Sequence, residues 1–307
     1  MQDGSRKAIL AAFFANLGIA VAKFVGFVIT GSAGLLAEAG HSVADTGNQG
    51  LLLLGSKRAS RDANEDHPFG FGRERFFWAF VVALVLFSMG GLFALYEGID
   101  KLRHPHETEN PTVAFIILGL AVALETFSLR TALKEAAHLR RGRSLWQFIK
   151  GSKQPELPIV VLEDIGAECG LMIAIAGLAL AEITGNPRWD AAGSLAIGAL
   201  LVVIAGVLAI EMKGLLIGEA AEPEDVDALR NAFAAGDPVR RVIHLRTEHL
   251  GPEELLVAAK LEFDPSLTFA QLAAAIDDAE VRAREAVPGA RLIYIEPDVY
   301  RPDAAAT

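Results

Sequence analysis

The chain contains 307 residues, of which 52% are hydrophobic and 21% are charged, and it carries a formal net charge of -10. The negative balance excludes nucleic acid as the main partner, because phosphate-binding proteins present a basic face. The single cysteine excludes an internal disulfide framework and a thiolate zinc site. The high apolar content instead indicates a membrane protein.

Apolar runs of membrane-spanning length recur along the first two thirds of the chain. A bilayer core of roughly 30 Å requires about 20 mostly apolar residues per helix. We therefore predict six transmembrane helices, at about 8–30, 33–54, 76–96, 111–133, 157–183 and 189–216. The first run lacks a small-residue cleavage site, so we expect a retained helix and not a signal peptide.

The distribution of Lys and Arg predicts the orientation of these helices, because basic residues in short loops are retained in the cytoplasm. Basic residues concentrate in the loops after the second and fourth predicted helices, whereas the alternate loops hold only Lys101, Arg103 and Arg188. We therefore expect a multi-pass protein of a bacterial inner membrane with both termini cytoplasmic. The basic loops also favour contact with anionic membrane lipid.

The composition changes at 218–223, and the residues that follow are too polar to span a bilayer. Their pattern predicts a helix at 223–234, strands at 239–247 and 255–263, a helix over 268–286 with Thr268 as its N-cap, and a strand at 291–296. An αββαβ order forms a sheet with helices on one face. The predicted architecture is an all-α six-helix transmembrane domain (1–216), a C-terminal cytoplasmic α+β domain of the αββαβ, ferredoxin-like type (217–301) and a disordered tail (302–307).

The second predicted helix reads GLLAEAGHSVADTGNQGLLLLG and places Glu38, His41, Asp45, Asn48 and Gln49 in an apolar span. Ionisable residues near a bilayer centre cost at least about 2.5 to 3.5 kcal/mol each, so several in one helix imply a polar cavity or a bound ion. His41 and Asp45 are four residues apart and share one helix face. Imidazole and carboxylate are ligands for zinc and other first-row divalent ions. The alternative is a His-Asp hydrogen bond that only joins helices.

The fifth predicted helix reads PIVVLEDIGAECGLMIAIAG and contains Glu163, Asp164 and Glu168. Asp164 and Glu168 lie one turn apart on a common face, whereas Glu163 points about 100° away from Asp164. A divalent ion held between the second and fifth helices would balance these carboxylates. The alternatives are that Glu163 lies at the water interface and that Glu168 pairs with a polar group on another helix.

Several motifs together resemble a known family. The HSVADT motif in the second helix, the loop sequence DHPFGFGRER, the six spans and the terminal αββαβ domain are similar to the cation diffusion facilitator family of proton-coupled zinc transporters. The segments HSVADTGNQ, VVLEDIGAECG and ITGNPRWDAAGSLAIG resemble its zinc transporter nine branch most. The family's usual His-x-x-x-Asp pair in the fifth helix falls on Val160 and Asp164, so one expected ligand is replaced by valine.

The resemblance implies a transporter and not an enzyme, with no catalytic residue and no catalytic cofactor. A divalent cation, Zn²⁺ in the first instance, would enter from the cytoplasm, bind between His41, Asp45 and Asp164, with Glu163 or Glu168 completing the site, and leave in exchange for protons. The soluble domain would form a homodimer. The expected partners of the chain are therefore the divalent cation, protons, membrane lipid and a second copy of the chain.

The resemblance also implies where metal is not expected outside the membrane. Glu296 and Asp298 fall on positions that bind metal in some members, but Ile243 and Lys260 stand where histidine ligands would occur. In the loop after the second helix, Phe71 stands at the position of a second histidine. We therefore expect no metal at either place.

Three alternative functions stay open, and two groups of charged residues are expected to have no part in transport. Manganese, iron or cobalt could replace zinc, since oxygen-rich ligation weakens the preference for zinc. A regulatory membrane protein with a degenerate metal site is the second alternative. An intramembrane hydrolase is the third, although the H-E-x-x-H signature is absent. Lys23 and Glu125 are assigned no role in transport, and the charges at 97–103 are expected to form a solvated interface.

Overall fold

The computed structural model describes residues 3–30, 33–105, 110–140 and 142–301, without the side chains of residues 3–4, 30, 33–38 and 40–41. Within these ranges the chain forms two compact units. The first unit comprises the residues up to Arg58 together with Glu74–Lys213, and the second comprises Ala59–Arg73 with the residues from Gly214 onward. The predicted disordered tail, 302–307, lies outside the described residues, and the predicted domain boundary at 216/217 stays a prediction.

The helices of the membrane part cover all six predicted spans. They are α1 (Asp3–Thr30), α2 (Ala33–Ala59), α3 (Glu74–Val85), a π-helical segment (Leu86–Leu92), α4 (Phe93–Arg103), α5 (Pro111–Leu139), α6 (Leu145–Gly151), α7 (Glu156–Thr184) and α8 (Arg188–Ile217). The predicted third span corresponds to α3, the π-helical segment and α4 in direct succession. The helical transmembrane architecture is thus confirmed.

Four of these spans in the described ranges are long and apolar enough to cross a membrane by length and composition: Ser5–Ile29, Glu74–Arg103, Pro111–Leu139 and Arg188–Ile217. The other two long helices, α2 and α7, carry most of the buried carboxylate and amide side chains discussed below. Polar side chains therefore concentrate on two helices of the first unit, which we call the membrane unit. The helices around them supply apolar surface.

The short helix α6 and the π-helical segment were not predicted. Ser144 caps α6 through a capping box, because its hydroxyl accepts a hydrogen bond from the Gln147 amide while the Gln147 side chain accepts one from the Ser144 amide. The S-x-x-Q spacing is a local signal that could have located this helix. The π-helical segment has no comparable local signal in its sequence, LFSMGGL.

Glycines set the spacing of α4 and α8. A Cβ atom added to Gly98 would lie 2.8 Å from Leu195 Cγ, and one added to Gly198 would lie 2.8 Å from the backbone nitrogen of Leu95. Small residues allow helix backbones to approach closely in membranes, where dispersion contacts drive association. The two helices therefore pack backbone to backbone along this seam.

The second unit contains the predicted αββαβ domain. Its elements are α9 (Pro223–Ala234), β1 (Val239–Gly251), β2 (Glu254–Phe263), α10 (Phe269–Ala286) and β3 (Ala290–Pro297). The sheet order is β1-β2-β3, with β1 antiparallel and β3 parallel to β2. The C-terminal α+β domain is confirmed, and Thr268 caps α10 as predicted, in a capping box with Gln271.

One face of the sheet carries the core of this unit. Residues of β2 alternate, so that every second side chain from Leu255 to Phe263 is buried while the intervening ones are more exposed. Leu229 and Phe233 from α9 belong to the same buried cluster, as do three alanines of α10. Both helices thus cover one face, and the other face carries the polar side chains.

Candidate metal centre

A cavity of about 220 Å³ lies within the first unit and is lined by α1, α2, α4, α5, α7 and α8. Its polar lining residues are Asn16, Lys23, Ser42, Asp45, Gln49, Glu97, Lys101, Glu125, Glu163, Asp164, Asp190 and Ser194. Six carboxylates and two lysines therefore meet in this cavity, within the part of the chain that the structure describes. Because carboxylates outnumber lysines, the ionised cavity would attract cations.

The structure brings together three of the predicted ligands, Asp45, Asp164 and Glu163. Asp45 on α2 and Asp164 on α7 both line the cavity, although they are far apart in the sequence. Asp164 is buried, and Ser128 on α5 donates a hydrogen bond from Oγ to its Oδ2 at 2.7 Å. This bond fixes one oxygen of the Asp164 carboxylate. His41 belongs to α2, but its side chain lies outside the described residues.

Glu163 is held by amide side chains of α2. The Nδ2 atom of Asn48 donates to Oε1 at 3.0 Å, and the Nε2 atom of Gln49 donates to Oε2 at 3.0 Å. Gln49 in turn accepts a hydrogen bond from Asn16 Nδ2 on α1 at 3.5 Å. Glu163 is therefore buried and joined to α2, which disfavours the alternative that it lies at a water interface.

Glu168 has a different environment from Asp164 although the two share a helix face. It receives a hydrogen bond from Thr126 Oγ1 on α5 at 3.2 Å, and it is not one of the described residues that line the cavity. Its Oε2 atom is buried and has no hydrogen-bond partner among the described residues. These contacts agree with the alternative that Glu168 pairs with a polar group on another helix, and its place as a metal ligand stays a prediction.

Two residues that were assigned no role line the cavity. Glu125 on α5 is buried there, and Lys23 on α1 donates a hydrogen bond to Ser42 Oγ at 3.1 Å. Their lack of a role in transport stays a prediction, but that prediction considered each charge on its own helix, whereas packing turns both helices toward the same space. A charged residue in the middle of an apolar span was the signal that could have identified them.

The charges near the end of α4 are not all a solvated interface, as had been expected. Lys101 and Glu97 line the cavity and form an ion pair at 3.0 Å. Lys101 also pairs with Asp190 on α8 at 3.0 Å. Asp100, in contrast, is exposed, as its expected interface position requires. The close seam between α4 and α8 turns one face of α4 inward.

Among the described residues, no group of three His, Cys, Asp or Glu side chains is arranged so that it could hold a metal ion. The predicted three-ligand set includes His41, whose side chain lies outside that description. Val160, which the resemblance aligns with a histidine, is fully buried. The described part of the centre is thus Asp45, Asp164 and Glu163 in a shared anionic cavity.

The sheet of the second unit has a lysine between two carboxylates. Lys260 Nζ lies 3.1 Å from Glu296 Oε1 and 3.2 Å from Asp298 Oδ2. Hydrogen bonds to Glu296 and then Asp298 raise the pKa of Lys260. The backbone amide of Val299, followed by the Lys260 ammonium, lowers the pKa of Asp298. Glu296 and Asp298 therefore share one ammonium group.

The loop between α2 and α3 is shaped by backbone and ring contacts. The backbone groups of Asn64 and His67 exchange two hydrogen bonds of 3.2 Å. The rings of His67 and Phe71 lie 4.4 Å apart, and the Arg61 guanidinium lies 4.1 Å from the Phe71 ring centroid. These contacts give His67 a role in loop conformation.

Comparison with known proteins gives matches along most of the chain. Residues 9–217 match the family model of the cation efflux transmembrane domain, and residues 221–298 match that of the cation efflux protein, cytoplasmic domain. The chain is 32% identical over 263 residues to the proton-coupled zinc antiporter SLC30A9, mitochondrial, of Homo sapiens, covering 85% of this chain and 46% of that protein.

Two further relatives are more distant. Metal tolerance protein C4 of Arabidopsis thaliana is 29% identical over 85% of this chain and 57% of its own length. Zinc transporter ZitB of Pectobacterium atrosepticum is 26% identical over 83% of this chain and 75% of its own length. The chain spans about half the length of the SLC30A9 antiporters that it matches.

Proposed function

The chain belongs to the cation efflux family, and from this premise we propose that it is a secondary transporter that exports zinc or a similar divalent cation from the cytoplasm by proton antiport. The observation that carries the proposal is the shared cavity of Asp45 on α2 and Asp164 on α7. Two carboxylates from different helices in a net anionic cavity provide the oxygen ligands that such an ion requires.

The ion would be held by His41, Asp45 and Asp164. Glu163 either binds the ion as a further ligand or orients the other ligands. Asn48 and Gln49 already fix its two oxygens, so its position is set before the ion arrives. Ligands that are themselves hydrogen-bonded keep their geometry when the ion leaves, and such supporting partners typically contribute 10- to 100-fold in metal affinity. Glu168 is the weaker candidate, since it lies outside the cavity lining.

Proton exchange follows from the chemistry of these ligands. Metal ligation requires a neutral imidazole and ionised carboxylates, so a proton on His41 or Asp164 competes directly with the metal ion. A site that opens alternately to the two sides of the membrane would then move protons and metal in opposite directions.

The transporter would be a multi-pass protein of a bacterial inner membrane with both termini cytoplasmic, and it would act as a homodimer through its soluble domain. The basic loops favour contact with anionic lipid on the cytoplasmic side. The match of residues 221–298 to the cytoplasmic domain of cation efflux proteins supports the location of that domain.

Proteoliposomes with an internal metal-sensitive dye and an imposed pH gradient test the proposal. The parent protein is expected to move Zn²⁺ against the proton gradient, and a panel with Mn²⁺, Fe²⁺ and Co²⁺ ranks the cations. His41→Ala, Asp45→Asn and Asp164→Asn should each reduce the flux strongly. Glu182→Gln, a change of an exposed carboxylate on the same helix as Asp164, should leave the flux unchanged.

The outcomes separate the alternatives. A parent that binds Zn²⁺ but moves none of the four cations would contradict transport. A parent that neither binds nor moves them would indicate the regulatory protein with a degenerate site. Equal flux in the parent and the Asp45→Asn variant would exclude this centre as the route of the ion.

A further inference from the structure

Lys101 occupies an unusual position for a lysine in the membrane part of a protein. Its Nζ atom lies 3.0 Å from Glu97 Oε1 on α4, 3.0 Å from Asp190 Oδ2 and 3.4 Å from Ser194 Oγ, both on α8. An ammonium group has three donors, so these oxygens satisfy all of them. Lys101 therefore holds two carboxylates and one hydroxyl at a single point.

This cluster shares the cavity of the candidate metal centre. Lys101, Glu97 and Asp190 line the same space as Asp45 and Asp164. Their side chains are 22%, 33% and 26% exposed, so none of them is fully buried. The cluster lies at the end of α4 and the start of α8, the side that the distribution of basic residues assigns away from the cytoplasm. An ion leaving the centre outward would therefore pass it.

Glu97 and Asp190 reach the same ammonium group, at 3.0 Å each, from two closely packed helices. Glu97 and Asp190 are on α4 and α8, whose backbones are held together by the contacts of Gly98 with Leu195 and of Gly198 with Leu95. Two fixed carboxylates are hard oxygen ligands for a divalent cation. Without the Lys101 ammonium, Glu97 and Asp190 would bind the divalent ion and delay its release from the cavity.

We propose that Lys101 is a tethered cation that prevents Glu97 and Asp190 from retaining the transported divalent ion and so sets the rate at which the ion leaves the cavity. The inference rests on the proposed transport function. A divalent ion that reaches the two carboxylates displaces the ammonium, whose flexible stem allows it to move aside. The ammonium cannot diffuse away, so it competes for the carboxylates again and shortens the ion's stay.

Proteoliposomes carrying Lys101→Met test this role through the Zn²⁺ concentration dependence of the flux at fixed pH and salt. The apparent KM and the maximal rate should both fall, by about threefold or more, because the ion binds more tightly and leaves more slowly. Equilibrium dialysis of Zn²⁺ with the purified variant should show additional bound metal relative to the parent. Lys101→Arg, which keeps the charge, should restore parent values of all three quantities.

Two matched variants separate this role from a structural one. E97Q/K101M/D190N removes the carboxylates together with the lysine, so it should bind no additional zinc and should regain the parent's maximal rate. Lys260→Met removes the lysine of the similar cluster on the soluble domain and should leave KM and maximal rate unchanged.

Several results would overturn the proposal. They are an unchanged KM and bound zinc in Lys101→Met, an equal loss of rate in Lys101→Met and in the triple variant, or a fall in rate with no fall in KM. Dialysis does not depend on transport. If the parent moves no cation but Lys101→Met binds extra zinc, the proposed transport function is contradicted, while the affinity of the two carboxylates for zinc is supported. In that case the role of Lys101 in ion release would be rejected.

Discussion

Lys101 and Lys260 each bridge two carboxylates, yet the two clusters lie in different surroundings. Lys101 is 22% exposed and lies in the cavity of the membrane unit, whereas Lys260 is 38% exposed on the open face of a sheet, beside Glu296 at 64%. Water and salt screen exposed ion pairs, so pairs such as that of Lys260 contribute little to stability. In a cavity with less water the same charges interact more strongly.

The comparison shows that two clusters of the same charged groups can differ in the strength of their ion pairs, because one is surrounded by water and the other lies in a cavity. Both clusters contain one ammonium and two carboxylates, but only the one in the cavity lies on the proposed path of an ion. Changes in the membrane unit should therefore have large effects, and the same changes in the soluble unit should have small ones.

The largest difference is expected for the carboxylates themselves. Asp164→Asn removes a charge from a buried position in the cavity and should reduce Zn²⁺ flux in proteoliposomes by more than about tenfold, the lower range for lost support of a metal site. Asp298→Asn changes a carboxylate on the soluble sheet and should keep the parent's flux. Comparable losses in the two variants would remove the distinction between the units.

Buried and exposed ion pairs give the second contrast, measured as the stability of the purified protein in detergent. Arg75 on α3 and Glu156 at the start of α7 are 6% and 1% exposed and form a two-contact ion pair. Arg75→Met leaves a buried carboxylate without its cation, which costs about 3 to 5 kcal/mol. Arg240→Met, which breaks the exposed pair with Asp264, should not measurably shift the unfolding temperature.

The seam between α4 and α8 gives a third and smaller effect. Gly198→Ala places a methyl group 2.8 Å from the Leu95 backbone, and the overpacking should cost about 1 to 3 kcal/mol. Gly206→Ala on the same helix meets nothing within 4 Å and should be neutral or slightly stabilising, since alanine favours helix. Equal melting temperatures for the two variants in detergent would show that the seam does not constrain these helices.

The smallest effect concerns the pKa of an exposed carboxyl in the soluble unit. The side-chain hydroxyl and then the amide of Ser266 lower the pKa of Asp264 to about 2. Because this value lies below the ordinary aspartate pKa of about 3.9, the contribution of Asp264 to folding is present above that pH and is lost as the pH falls toward 2. Ser266→Ala should raise the pKa of Asp264, as measured by carboxyl ¹³C shifts of aspartate-labelled protein; an unchanged pKa would exclude the hydroxyl as its cause.

Local patterns accounted for most of the fold. The six helical spans follow from apolar length, and the αββαβ order with Thr268 as the N-cap follows from periodicity and capping. The helix α6 was missed although its capping box is local. Strand β1 was predicted to end at Thr247 but continues to Gly251, because its pairing with β2 extends the ladder beyond the alternating residues.

The candidate centre could be predicted only in part. The spacing of His41 and Asp45 and the carboxylates of α7 are visible in the sequence, because four-residue separation on a helix fixes a common face. The partners that hold them are less visible. Ser128 could be recognised as a donor to Asp164 only when the packing of α5 against α7 was known.

The sequence by itself determined that this chain crosses a membrane, that α2 and α7 bring ionisable groups into it, and that a small αββαβ domain follows. These properties depend on the length and periodicity of neighbouring residues. Only the tertiary structure decided that Asp45, Asp164, Glu125 and Lys101 line one cavity. Which helix faces meet depends on close contacts between distant segments, such as those of Gly98 and Gly198, and local periodicity does not encode them.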